Sequence, residues 1–262
     1  MKKLIAMLLA LTIVLALAAC APAGNGNEST PANNESTGDT TNDTTGDETV
    51  EVMTYEEYMA AENDDIVCIE SYVQATQGWW DNTIVIYLQG PDGAYFSYGT
   101  ACAEEDAEKL VPGTKIRVTG TKAEFNGEVE IMDGTFEFIE DAEPYVAEAM
   151  DATALLGTDE LIEHMNKKAA FKGMTVVAAN DEGAAFLYKW DGSGAAGDDL
   201  YFNVSVNDAT YTFCVESYLT GDGTDVYEAV EALKVGDVLD MEGFLYGYEG
   251  VQPHITGVTI AD

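Results

Sequence analysis

Short runs in which apolar residues recur at every second position fill much of the chain beyond residue 65. In one such run Ile84, Ile86 and Leu88 alternate, and the turn Pro91-Asp92-Gly93 follows. A period of two predicts strands with one face in a core, and the turn predicts that the next strand returns beside the last. Helical periodicity is confined to short segments, so the pattern predicts a mostly β protein.

Glycines recur every seven residues in two stretches that are offset by 123 residues. They are Gly113, Gly120, Gly127 and Gly134 in the first stretch, and Gly236, Gly243, Gly250 and Gly257 in the second. The residues between them also agree, since Ile116 and Val118 align with Leu239 and Met241. The chain is therefore expected to contain two copies of one structural unit.

The two copies differ between their third and fourth glycines. The apolar residues there are Val129 and Ile131 in the first copy but Val251 and Ile255 in the second, so the alternation changes parity. One extra residue in a strand has this effect. We therefore predict a β-bulge in one of the two copies.

Both copies have the same predicted order of elements. The first has strands at 66–73, 84–88, 95–98, 115–121 and 128–138, and the second at 171–179, 200–206, 211–215, 238–244 and 251–260. A helix is predicted before the fourth strand of each copy, at 104–110 and 225–233, and a helical stretch before each copy, at 55–61 and 159–166.

Three strands, a helix and two further strands are the order of the OB-fold, a five-stranded Greek-key barrel. The chain resembles tandem OB-fold surface lipoproteins of Gram-positive bacteria over residues 51–262. The features that carry the resemblance are the segments Val111-Pro112-Gly113 and Val235-Gly236-Asp237, which lead into the fourth strands, and the helix just before each of them. The resemblance implies two OB-fold-like domains, at 51–145 and 150–262, and a surface location, but no reaction. An immunoglobulin-like sandwich is the alternative, although the helix would interrupt its strands.

The first 50 residues have the features of an export signal and a spacer. A basic start at Lys2 and Lys3, an apolar run and the segment Leu17-Ala18-Ala19-Cys20 predict a lipoprotein signal peptide at 1–19 with a lipid on Cys20. The apolar run is too short for the competing transmembrane helix. Residues 20–50 lack aromatic and basic residues and are expected to form a disordered acidic linker, with the protein anchored on the extracellular side of the membrane.

The charge balance restricts the partners. There are 48 acidic and 11 basic residues, a formal charge of -37, and Arg117 is the only arginine. Nucleic-acid binders gain much of their affinity from basic side chains on phosphates. Duplex nucleic acid is therefore an unfavourable ligand, and the charge is explained by solubility outside the cell.

Aromatic residues in the predicted loops are the candidate ligand-binding residues, because OB-folds bind ligands beside the first-to-second and fourth-to-fifth loops. They are Trp79, Trp80 and Phe125 in the first copy and Tyr188, Trp190, Tyr246 and Tyr248 in the second. Such rings stack on sugars, bases or apolar side chains, or else plug the ends of a barrel. Trp79 and Trp80 are adjacent, so at least one of them is expected to be exposed.

Acidic clusters leave a calcium site open as a second possibility. Asp191, Asp198 and Asp199 lie in one predicted loop, and Asp222, Asp225 and Glu228 in another, but neither has the spacing of an EF-hand. Turn and helix-capping roles are the simpler explanation. No metal or other cofactor is therefore expected.

Catalytic motifs are missing from the sequence. His164 and His254 are the two histidines, and no nucleophile elbow, zinc-binding or phosphate-loop motif is present. Among the remaining cysteines, Cys68 and Cys102 are the candidate disulfide pair, and buried free thiols are the alternative.

The sequence thus predicts a surface-anchored, non-enzymatic binding module for a saccharide, peptide or partner protein. The alternatives are an accessory protein for single-stranded nucleic acid and an envelope spacer without a ligand.

Overall fold

Closed β-barrels account for most of the computed structural model, which describes residues 50–261. The predicted signal peptide, the predicted lipidation site at Cys20 and the predicted linker up to residue 49 lie outside the described residues. Among residues 50–261 no helix is both long enough and apolar enough to cross a bilayer.

The first barrel has the strand order β1-β2-β3-β5-β4 and closes through antiparallel pairing of β1 with β4. Its strands are β1 (Ile66–Thr76), β2 (Thr83–Gln89), β3 (Ala94–Ala101), β4 (Lys115–Phe125) and β5 (Glu128–Phe138). Helix α1 (Tyr55–Ala60) precedes it, and the short helix α2 (Glu104–Ala107) lies between β3 and β4. The parallel pairing of β3 with β5 completes the topology of an OB-fold.

The second barrel repeats this topology. Its strands are β6 (Met150–Asp151), β7 (Lys168–Val177), β8 (Phe186–Tyr188), β9 (Leu200–Val206), β10 (Ala209–Val215), β11 (Val238–Phe244) and β12 (His254–Ile260). The five strands β7, β9, β10, β12 and β11 form the barrel, which pairing of β7 with β9 closes, while β6 and β8 extend it. Helices α3 (Ser217–Thr220) and α4 (Asp225–Glu231) lie between β10 and β11.

The predicted fold class is therefore confirmed, and the immunoglobulin-like alternative is wrong because each sheet closes on itself. The alternating residues supply the interiors. Fully buried side chains of the first barrel are Val67, Ile69, Ile86, Leu88, Ile116, Val118 and Ile131, and those of the second are Phe171, Met174, Val176, Phe202, Val204, Phe213 and Leu239. Helix α4 adds Tyr227 and Val230 to the second core.

At the first two positions of the glycine repeat a side chain is unfavourable. Gly113 and Gly236 adopt φ values of +94° and +99° in the turns that lead into β4 and β11. At the next position a Cβ on Gly243 would collide with the backbone carbonyl of His254, and one on Gly120 would lie 2.8 Å from the carbonyl oxygen of Met132. The repeat thus marks a left-handed turn and a close strand approach in both barrels.

The bulge prediction needs correction. Register shifts occur between Thr119 and Thr121 in the first barrel and between Glu242 and Gly243 in the second, so both copies carry an irregularity where one had been expected. The last strand also starts at His254 rather than at residue 251, because Pro253 has no backbone N–H to donate to a neighbouring strand.

The segments between strands differ more from the predictions. The stretch predicted as a helix at 159–166 is a 3₁₀ helix, Asp159–His164, that no side chain caps at its start. Helix α2 ends at Ala107 instead of residue 110. The cysteines Cys68, Cys102 and Cys214 are buried free thiols, so the structure contains the free thiols and not the candidate disulfide.

Candidate ligand-binding cleft between the two barrels

The outer face of β2 and β3 in the first barrel is covered by the second barrel. Tyr87 stacks on Phe244 with ring centroids 4.7 Å apart, and Phe96 meets Tyr87 edge-on at 5.0 Å. The three rings form a small apolar cluster outside both barrel cores. The face on which an isolated OB-fold binds its ligand is therefore partly an interface in this protein.

Polar contacts fix the same interface. The hydroxyl of Tyr87 lies 2.7 Å from Nδ1 of His254 and receives a hydrogen bond from the amide of Gln77. Burial lowers the pKa of His254 to about 3, so the imidazole is neutral. The backbone N–H of Gly247 donates to Oε2 of Glu128 at 2.7 Å. These contacts set the relative position of the two barrels.

A cleft of about 840 Å³ opens beside this interface and is lined by both barrels. Its aromatic residues are Phe96, Tyr98, Phe125, Trp190, Tyr201, Tyr218, Tyr246 and Tyr248. The volume is typical of small-molecule sites. A second hollow of about 590 Å³ lies at 109–115 and 138–144 of the first barrel, where Phe138 is the one ring among its lining residues.

Four of the seven candidate residues from the sequence meet in the cleft, namely Phe125, Trp190, Tyr246 and Tyr248. Phe125 and Tyr248 come from different barrels and have ring centroids 6.2 Å apart. Tyr246 stacks on His254 at 4.2 Å. The two fourth-to-fifth loops, which the sequence placed in separate sites, thus contribute to one site.

The other three candidates lie elsewhere. Trp79 packs against the first core, and its indole N–H donates to the carbonyl of Cys102 at 2.9 Å. Tyr188 packs against the second core and donates to Glu231 at 2.6 Å. Trp80 is 76% exposed, as was expected of one of the adjacent pair, but it is not among the residues that line the cleft.

Sequence reasoning missed the rings that the strands and helix α3 contribute. Tyr201 lies on β9 between the inward-facing Leu200 and Phe202, and alternation alone would have placed it on the outer face. Phe96 belongs to the continuous buried run Ala94–Ser97, which is typical of a strand covered on both faces. Tyr218 had no such signal, because α3 was not predicted.

Carboxylates are the charged groups of the cleft. Asp199, Glu216 and Glu249 line it, and none of the described residues that line it is a lysine or an arginine. Asp199 accepts hydrogen bonds from the backbone N–H and the hydroxyl of Ser217, at 2.9 and 2.6 Å. Oε2 of Glu216 is buried and has no hydrogen-bond partner among the described residues. Burial, followed by the nearby charge of Asp199, raises the pKa of Glu216 to about 7.

Glu128 lies at the interface near Tyr246. Its side chain is fully buried, and burial raises its pKa to about 8 despite the hydrogen bond from Gly247. Oε1 of Glu128 has no partner among the described residues. Burial, with the charges of Glu128 and Glu130, also raises the pKa of Tyr246.

The acidic clusters considered for calcium do not converge. Within residues 50–261 no group of three or more histidine, cysteine, aspartate or glutamate side chains could hold a metal ion. Asp191 accepts from the backbone of Ser193, and Asp198 accepts from that of Ala195 and pairs with Lys189 at 3.5 Å. These carboxylates act as turn-capping groups.

No protein-family model and no curated protein matches the sequence. Similar solved structures include a murine DNA-binding protein bound to double-stranded DNA, with 10% identity over 75% of this chain and 97% of that chain and a TM-score of 0.33. A replication protein A heterotrimer bound to single-stranded DNA has 11% identity, 77% and 49% coverage and a TM-score of 0.30. A single-stranded DNA binding protein from Thermus aquaticus has 11% identity, 75% and 94% coverage and a TM-score of 0.27. Likeness at this level transfers no ligand to this chain, and the fold assignment rests on the strand order above.

Proposed function

We propose that the protein is a non-enzymatic binding module that holds its ligand in the cleft between its two barrels. The observation that supports this most strongly is the convergence of exposed rings from both barrels on one cleft. Trp190 is 76% and Tyr218 69% exposed, and Tyr98 and Phe125 are also exposed. A contiguous patch of exposed apolar side chains is typical of an interaction site.

The interface makes this cleft preformed. The Tyr87, Phe96 and Phe244 cluster and the hydrogen bonds at His254 and Glu128 hold the walls in place before a ligand arrives. A preformed site loses little ordering entropy on binding. Each ring that stacks on a ligand then contributes about 0.5–1.5 kcal/mol beyond the apolar area it buries.

Single-stranded nucleic acid is the second candidate ligand. The OB-fold topology and the rings, on which bases could stack, favour it. The carboxylates Asp199, Glu216 and Glu249 oppose it, because a phosphate backbone would meet like charge where such proteins present lysine or arginine. A neutral or cationic ligand fits the cleft better.

We further propose that the cleft is displayed outside the cell by a lipid on Cys20, as in the tandem OB-fold surface lipoproteins that the sequence resembles. The segment Leu17-Ala18-Ala19-Cys20 supports this anchor. Cys20→Ser should move the protein from the membrane fraction into the medium or leave it unprocessed. Unchanged fractionation would contradict the anchor.

Tryptophan fluorescence tests the cleft. The protein is titrated with a panel of oligosaccharides, peptides, organic amines and single-stranded oligonucleotides, and the emission change is compared between Trp190→Phe and Trp80→Phe. The two tryptophans are matched controls because both are 76% exposed and only Trp190 lines the cleft. Trp190→Phe should abolish the ligand-dependent change and Trp80→Phe should preserve it. The reverse pattern, or silence with every ligand, would reject the cleft as the site.

A further inference from the structure

We infer that the cleft binds a small organic cation, a molecule that carries a quaternary or protonated ammonium group. This inference rests on the proposed function and specifies its ligand. Three features of the lining residues lead to it: the sign of their charges, the environment of one carboxylate and the set of aromatic rings.

The first feature is the sign of the charges around the cleft. Its charged lining residues are Asp199, Glu216 and Glu249. Lys189, the lysine of the adjoining loop, is 3.5 Å from Asp198 and is therefore ion-paired. The cleft thus has a negative potential that attracts cations and repels phosphates and carboxylates.

The second feature is the unsatisfied oxygen of Glu216. Its Oε2 is buried at the cleft and has no hydrogen-bond partner among the described residues. Buried polar atoms are normally satisfied, and a charged one without a partner is costly. A cation in the cleft would offset the negative charge of this carboxylate by electrostatic attraction, whereas a neutral apolar ligand would offer it no compensating charge.

The third feature is the set of rings. Trp190, Tyr218, Tyr246 and Tyr248 line the same cleft as the carboxylates. The negative faces of aromatic rings attract cations, with tryptophan the strongest, and cages of this kind recognise quaternary ammonium groups. A site made of rings and carboxylates together favours a weakly hydrated organic cation over a metal ion, which prefers oxygen ligands alone.

Calorimetric titration of the full chain at pH 8 tests the inference. The probes are choline and its neutral carbon isostere, 3,3-dimethylbutan-1-ol, which has the same shape without the charge. Choline should bind at least about tenfold more tightly than the isostere. Glu216→Gln should weaken choline binding about five- to tenfold by removing an electrostatic attraction. Glu160→Gln should not change the affinity, because Glu160 is exposed and does not line the cleft. Glu249→Gln is the second variant if Glu216→Gln does not fold.

The outcomes separate this inference from the proposed function. Equal affinity for choline and the isostere, an unchanged affinity in both cleft variants, or binding of oligonucleotides alone would overturn the cation inference. Binding of a neutral saccharide whose fluorescence change is abolished by Trp190→Phe would do the same and leave the cleft intact as a binding site. Failure of every ligand in both titrations would overturn the two together.

Discussion

Replacing Glu128 by glutamine should stabilise the protein at high pH far more than at low pH. The carboxyl group is fully buried between the barrels, and Gly247 donates to one of its oxygens at 2.7 Å. The other oxygen has no partner among the described residues, and burial raises the pKa to about 8 from the usual 4.5. The folded protein therefore retains a proton that an unfolded chain releases above pH 4.5.

The sign and size of the effect follow from that difference. The stabilising contribution of the protonated carboxyl is complete below about pH 4.5 and is lost as the pH rises towards 8, at about 1.4 kcal/mol per pH unit. Glutamine can keep the hydrogen bond from Gly247 and never has to be neutralised. Between pH 5 and pH 8 the stability of Glu128→Gln relative to the unmodified protein should thus rise by about 3–4 kcal/mol.

Urea unfolding at the two pH values measures this difference. Glu216, whose pKa burial also raises, and His254, whose pKa burial lowers, titrate in both proteins and cancel in the comparison. Glu160→Gln, at an exposed position, is the control for the loss of one carboxyl group. If Glu128→Gln changed the free energy of unfolding by the same amount at both pH values, the idea that burial raises the pKa of this carboxyl group would be refuted.

Three further predictions concern packing and the thiols. Gly243→Ala should lower the free energy of unfolding by about 2–3 kcal/mol, and with it the melting temperature, because the new Cβ would collide with the carbonyl of His254. Gly257→Ala is the control and should cost under about 1 kcal/mol, because the nearest neighbour of its new Cβ is 3.7 Å away. Similar losses in the two variants would contradict the close approach at Gly243. Phe244→Ala should lower the free energy of unfolding, measured by chemical denaturation, by about 3–5 kcal/mol, because it removes the ring that stacks on Tyr87 and leaves a cavity. Phe125→Ala, at an exposed ring, should leave stability nearly unchanged, and equal losses in the two variants would argue against the interface. In alkylation followed by mass spectrometry, Cys68, Cys102 and Cys214 should react only after denaturation, and a Cys68–Cys102 disulfide in the native protein would contradict the free thiols.

The barrels were predictable because their information is local. Period-two alternation assigns each side chain to the core or to the outside within a few residues, and the repeated glycines mark turns at Gly113 and Gly236 that need a positive φ. Asn207 and Asp208 also adopt positive φ, in the short turn between β9 and β10.

The interface was not predictable, because nothing in the alternation of one barrel indicates what covers its outer face. Tyr87 and Phe96 appeared as ordinary strand residues, yet Tyr87 stacks on Phe244 and Phe96 meets Tyr246, both of the other copy. The loops were partly predictable. Tyr188 and Trp190 are two residues apart, but the positive φ of Lys189 breaks the strand between them, so one packs on the core and the other lines the cleft.

A crystal structure of the protein with the tightest ligand of the titration panel tests the central claim most directly. We expect the ligand between the barrels, in contact with Trp190 and Tyr246 of the second barrel and with Tyr98 or Phe125 of the first. A ligand bound at Trp80, or held by one barrel alone, would contradict the account.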